Sequence, residues 1–66
     1  MDAAEKTLSV LDALGTQNGE GTRLGSIAER AGLPKSTVHR ILKRLVERGY
    51  ARAQGDGVYV LSLIHI

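Results

Sequence analysis

Between residues 35 and 52 the chain gathers side chains suited to holding a polyanion. Lys35, Ser36 and Thr37 set a cation beside two short hydroxyls, His39 and Arg40 follow, Lys43 and Arg44 come about one helical turn later, and Arg52 lies beyond a glycine. Short polar residues let a backbone approach closely, while long cations reach guanine edges or phosphate oxygens. Arg23, upstream, can hold a flanking phosphate. Metal and covalent chemistry find no comparable set. The chain has no Cys, and His39 has only His65 as a second imidazole. Ser9, Ser26, Ser36 and Ser62 have no base and orienting group around them in a recognisable motif. The expectation is therefore no catalytic residue, no metal, no cofactor and no enzyme.

Charge supports the polyanion reading. The net charge of +2 over 66 residues conceals a separation. Residues 1–32 carry Lys6, Arg23 and Arg30 against Asp2, Glu5, Asp12, Glu20 and Glu29, a net of −2. Residues 33–54 carry Lys35, Arg40, Lys43, Arg44, Arg48 and Arg52 against Glu47 alone, a net of +5, and Asp56 supplies the remaining −1. A basic half beside an acidic half is an electrostatic footprint for nucleic acid. The absence of Cys suits a reducing cytosol. No apolar run approaches the ~18 residues of a membrane span, and the acidic start Met1-Asp2-Ala3-Ala4-Glu5 is unlike a secretory signal. These features predict a cytoplasmic protein with no membrane association.

The elements that must position the cations follow from periodicity and punctuation. A first helix is predicted from Asp2 to Leu14, with Asp2 and Glu5 spaced as a capping box and Gly15 ending it. Ala4, Leu8, Leu11 and Leu14, with Thr7 between, form its inward stripe and Val10 flanks it; the stripe is expected to be core, the alternative being that part of it meets a second subunit. Thr16 to Thr22 is a polar, Gly-rich loop whose glycine spacing does not fit a nucleotide-binding fingerprint. Thr22 to Leu24 can form a short strand. A second helix covers Leu24 to Ala31 and stops at Gly32. Pro34 is placed in the first turn of a third helix that runs to Arg48 and halts at Gly49. On that helix Val38, Ile41, Leu42, Leu45 and Val46 share one side, while Ser36, Arg40, Lys43 and Glu47 lie nearly opposite, with His39 and Arg44 on the flanks. Two helices joined by a tight Gly-containing turn form a helix-turn-helix. Tyr50 to Gln54 and Val58 to Leu61 flank Gly55-Asp56-Gly57 and predict a hairpin, with Tyr59 and Leu61 closing the core. The fold class is mainly α with a small β-hairpin: a three-helix winged helix-turn-helix.

From Leu24 to Leu61 the sequence resembles the IclR family of bacterial transcription regulators. The resemblance rests on Ile27-Ala28-Glu29-Arg30-Ala31-Gly32-Leu33-Pro34-Lys35-Ser36-Thr37-Val38-His39-Arg40-Ile41-Leu42, on Leu45-Val46-Glu47-Arg48-Gly49-Tyr50 and on Gly57-Val58-Tyr59-Val60-Leu61. The first helix is similar too, with Lys6 where a basic residue is usual. The resemblance implies a winged helix-turn-helix DNA-binding domain at residues 1–61. Its recognition helix, about 34–48, would enter the major groove, and its wing would occupy about 50–61. It further implies a repressor or activator that binds a palindromic operator in double-stranded DNA as a homodimer, with the effector ligand bound in a domain absent from this chain. Ser36, Thr37, His39, Arg40 and Lys43 then fall at recognition-helix positions. Residues 62–66 depart from the family pattern. They resemble a peptide encoded by sequencing adapters and are expected to be a truncated or chimeric end. The competing reading is a winged-helix module that contacts protein without binding DNA. It would show an apolar patch on the third helix in place of the cations.

Overall fold

The computed structural model describes residues 1–15 and 21–62. Residues 16–20 of the predicted loop and 63–66 of the predicted tail, including His65, lie outside the described residues. The element order is α1 (Ala3–Gly15), β1 (Thr22–Arg23), α2 (Leu24–Ala31), α3 (Lys35–Glu47), β2 (Ala51–Gly55) and β3 (Val58–Leu61). The architecture is a winged helix-turn-helix: three helices and a small antiparallel sheet.

The capping box closes the start of α1. Glu5 N donates to Asp2 Oδ1 at 2.8 Å, and Asp2 N donates to Glu5 Oε1 at 3.3 Å, so two orphan amides of the first turn are satisfied reciprocally. The predicted apolar stripe of this helix needs correction. Val10, Ala13 and Leu14 are its buried residues, Leu11 packs half-buried against them, and Ala4 and Leu8 face solvent, Leu8 with 58% of its surface exposed. Val10 is the centre of the inward face, not its flank. Thr7, expected on the same stripe, is half-buried, and its hydroxyl is satisfied within the helix by donating to Ala3 O at 3.1 Å.

Helices α2 and α3 both end in a Schellman motif. After α2, Leu33 N donates to Ala28 O and Gly32 N to Glu29 O; after α3, Tyr50 N donates to Leu45 O and Gly49 N to Val46 O. The pattern places one residue in the left-handed region, which glycine adopts without a Cβ penalty. Gly32 and Gly49 hold those positions with φ of 70° and 85°. Pro34 stands at the N-cap of α3 with φ −62° and ψ 149°, one residue ahead of the first turn in which it was expected. Its extended ψ turns the chain between the two helices.

The core joins one face of each helix. Val10, Ile27, Val38 and Leu42 are fully buried, and Ala13, Leu14, Ala28, Ala31, Leu45 and Ala51 complete the cluster. The sheet order is β1-β3-β2 with both pairings antiparallel, so β3 is the central strand. The hairpin turns at Asp56 and Gly57, whose φ values of 55° and 73° are both positive, as a two-residue type I′ turn requires. A bulge between Ala53 and Gly55 takes up one residue of β2. Tyr59 packs against the core, as expected, but Leu61 is 37% exposed. Val60 is buried instead. It lies on the other face of the sheet, where Gly21 approaches Val58 and Val60. β3 carries covered side chains on both faces, Tyr59 on one and Val60 on the other, so alternation along β3 alone does not mark its buried side.

Candidate nucleic-acid interface

Helix α3 is held from below by Val38, Leu42 and Leu45, with Ile41 and Val46 half-buried at the margins. Its other side is polar. Lys35, Ser36, His39, Arg40, Lys43, Arg44 and Glu47 are exposed, and Thr37 is half-buried. Among the described residues none of these cations has an ion-pair or hydrogen-bond partner. The charge is therefore not consumed within the domain, and core packing fixes the direction in which it points. Large apolar side chains stay off this face. Among the described residues the exposed ones are Met1, Leu8, Tyr50 and Leu61, none of them in α3, so α3 does not present the apolar patch that a protein-contact module needs.

The other two predicted cations are placed differently. Arg23 precedes α2 and is exposed, but its Nη1 donates to Asp56 O at 3.3 Å. Beside it Leu24 N donates to Gly57 O at 2.9 Å. These two bonds fasten the hairpin turn to the start of α2, a structural role for Arg23 that the sequence did not disclose. Arg52 is exposed on β2 opposite Val60, on the sheet face away from Tyr59, and lines neither groove described next.

Two concave surfaces border α3. One lies where α2 and α3 both begin and includes Arg23, Gly25, Ser26 and Lys35. The Lys35 side chain crosses close to Gly25, where a Cβ would come within 3.7 Å of Lys35 Cε. The other runs between α1 and α3, lined by Ala3, Lys6, Thr7, Thr37, Arg40, Ile41 and Arg44. The structure thus brings Thr37, Arg40 and Arg44 together with two α1 residues, Lys6 and Thr7, that the sequence did not mark as site residues. The signal was available in principle. Lys6 and Thr7 lie four and three residues before Val10, the true centre of the buried face. Among the described residues no three His, Asp or Glu side chains gather as a metal site. No described helix is long and apolar enough to cross a membrane.

Comparison with known proteins follows the same lines. The model of the IclR helix-turn-helix domain matches residues 3–55. Among solved structures, HmgR of Pseudomonas aeruginosa is similar at 33% identity with a TM-score of 0.82, covering 94% of this chain and 26% of its own. An IclR homolog of Microbacterium hydrocarbonoxydans, solved in complex with 4-hydroxybenzoate, matches at 26% identity and a TM-score of 0.80, covering 94% of this chain and 25% of its own. The Zalpha domain of Cyprinid Herpesvirus3 ORF112, studied for its binding mode to Z-DNA, matches at 32% identity and a TM-score of 0.77, covering 92% of this chain and 98% of its own. The chain thus spans about a quarter of the HmgR and IclR-homolog chains and nearly all of the Zalpha chain. No curated protein matches it in sequence.

Proposed function

Because the chain belongs to the IclR helix-turn-helix family and is a DNA-binding regulatory domain, we propose that it reads double-stranded DNA sequence-specifically by seating α3 in the major groove. The observation that carries this reading is the unpaired cationic face of α3 backed by a fully buried opposite face. A B-form major groove is about 12 Å wide and accepts one helix. Ser36, His39, Arg40 and Lys43 face the base edges in this arrangement. Lys35 and Thr37 at the start of α3, together with Arg44, meet phosphates, aided by the amino-terminal dipole. Arg52 on the wing and Arg23 beside it fix register on the flanking backbone.

The wider biology proposed is a bacterial, cytoplasmic regulator acting as a homodimer on a palindromic operator, its effector bound outside residues 1–61. Half-sites one helical turn apart place two recognition helices about 34 Å from each other. The longest dimension of this domain is 29 Å, so two copies fit side by side on one face of the duplex.

The Zalpha similarity supplies a second reading, recognition of left-handed Z-form duplex by shape. Selection from a random duplex library separates the two. Enrichment of a defined motif, bound in B-form and competed poorly by a methylated GC repeat held in Z-form, is the expected result. A library that stays random while the Z-form repeat binds tightly would replace the first reading by the second.

A further inference from the structure

The groove between α1 and α3 collects three cations, Lys6, Arg40 and Arg44, and its remaining lining is neutral. None of the three has a partner among the described residues. Of the nearest acids in sequence, Asp2 and Glu5 are engaged with each other's backbone amides in the capping box, and neither they nor Glu47 line the groove. Thr37 adds a half-buried hydroxyl, likewise without a described partner. Like charges converging on a concavity repel one another unless an anion is shared between them.

We propose that this groove takes one backbone phosphate of the duplex and that Lys6 of α1 is a positioning residue for it, a proposal that rests on the DNA-reading function above. The occupant follows from Arg40, which belongs both to the groove and to the outward face of α3. An anion seated between Lys6 and Arg44 lies alongside whatever α3 reads, and the polyanion in that place is the DNA strand bordering the major groove. The α1 contact lies on the flank of α3 where Thr37, Ile41 and Arg44 stand, whereas Arg52 contributes from the hairpin. The duplex is thereby gripped from two elements besides the recognition helix. A phosphate contact carries no base information, so Lys6 fixes register and leaves preference unchanged.

The test uses the 66-residue chain and its selected duplex. Each phosphate neutralised contributes about −0.9 to the slope of log K against log salt. Lys6→Gln is expected to make that slope shallower by about 0.9 and to weaken binding about fivefold at 0.15 M salt, equally for selected and scrambled duplexes. Lys6→Arg is expected to restore both. Replacing single phosphates by neutral methylphosphonates should reveal one position that weakens the parent chain and leaves Lys6→Gln unaffected. A measurement that needs no variant is acetylation of Lys6 in the parent chain, which the duplex should suppress. An unchanged slope in Lys6→Gln, or acetylation of Lys6 at the same rate with and without DNA, overturns the proposal while the parent chain's binding leaves the DNA-reading function standing. A loss confined to one sequence would make Lys6 a base reader and also overturn it. Failure of the parent chain to bind any duplex removes the function and this proposal together.

Discussion

Arg40 and Arg52 are both exposed arginines, and their settings divide their proposed labour. Arg40 projects from a helix whose far side is fully buried at Val38 and Leu42, so in the proposed arrangement its guanidinium is held at a fixed height and would meet a guanine edge bidentately. Arg52 sits on an exposed strand of the hairpin, suited to a phosphate. Arg40→Ala is expected to cost about 1–3 kcal/mol on the selected duplex and to relax preference at one base pair, while Arg52→Ala weakens all sequences alike. Binding titrations against a panel of single-base-pair variants check both. Equal, sequence-independent losses would show that reader and anchor are misassigned. The exposure of Arg40 and Lys43 was legible beforehand, because a 3.6-residue period puts them opposite Val38 whatever the tertiary context. The bond from Arg23 to Asp56 O was not. It joins residues 33 positions apart, and nothing local to either one encodes the pairing.

Helix limits in this chain are punctuated by residues with a stereochemical reason to be there. Asp2 with Glu5 opens α1, and Gly32 and Gly49 take the left-handed positions that close α2 and α3, which is why these boundaries read correctly to within one residue. Which side of α1 faces inward is a different kind of information. Hydrophobicity favoured Leu8, yet the buried face holds Val10, Ala13 and Leu14, because the way a helix sits against its neighbours, not its own composition, decides which side is covered. The consequence is measurable. Leu42→Ala removes a fully buried side chain and should cost about 2–5 kcal/mol, enough to unfold much of so small a domain. Leu8→Ser, at a site 58% exposed, should stay within about 0.5 kcal/mol of the parent. Urea melts followed by circular dichroism give both values. A large loss from Leu8→Ser would mean that its face is covered in solution, as by a second copy of the chain.

At the scale of the molecule, the net charge of +2 misrepresents what a duplex meets, since residues 33–54 alone carry +5. The domain measures 29 × 22 × 18 Å, and the Debye length at 0.15 M salt is about 8 Å. DNA at the face of α3 therefore senses chiefly the charges within that distance, not the net charge of the whole domain. Local charge thus sets the sign and size of the salt response. With about four of Lys6, Arg23, Lys35, Arg44 and Arg52 on phosphates, log K should fall with log salt at a slope of about −3.6 per chain. Raising salt from 50 to 200 mM then weakens binding roughly a hundredfold, and a dimer on a full operator shows about twice the slope. Fluorescence anisotropy on the selected duplex across that range supplies the number. A slope shallower than about −1 would mean that at most one cation reaches the backbone, and the charged side of α3 would then not be the surface that DNA covers.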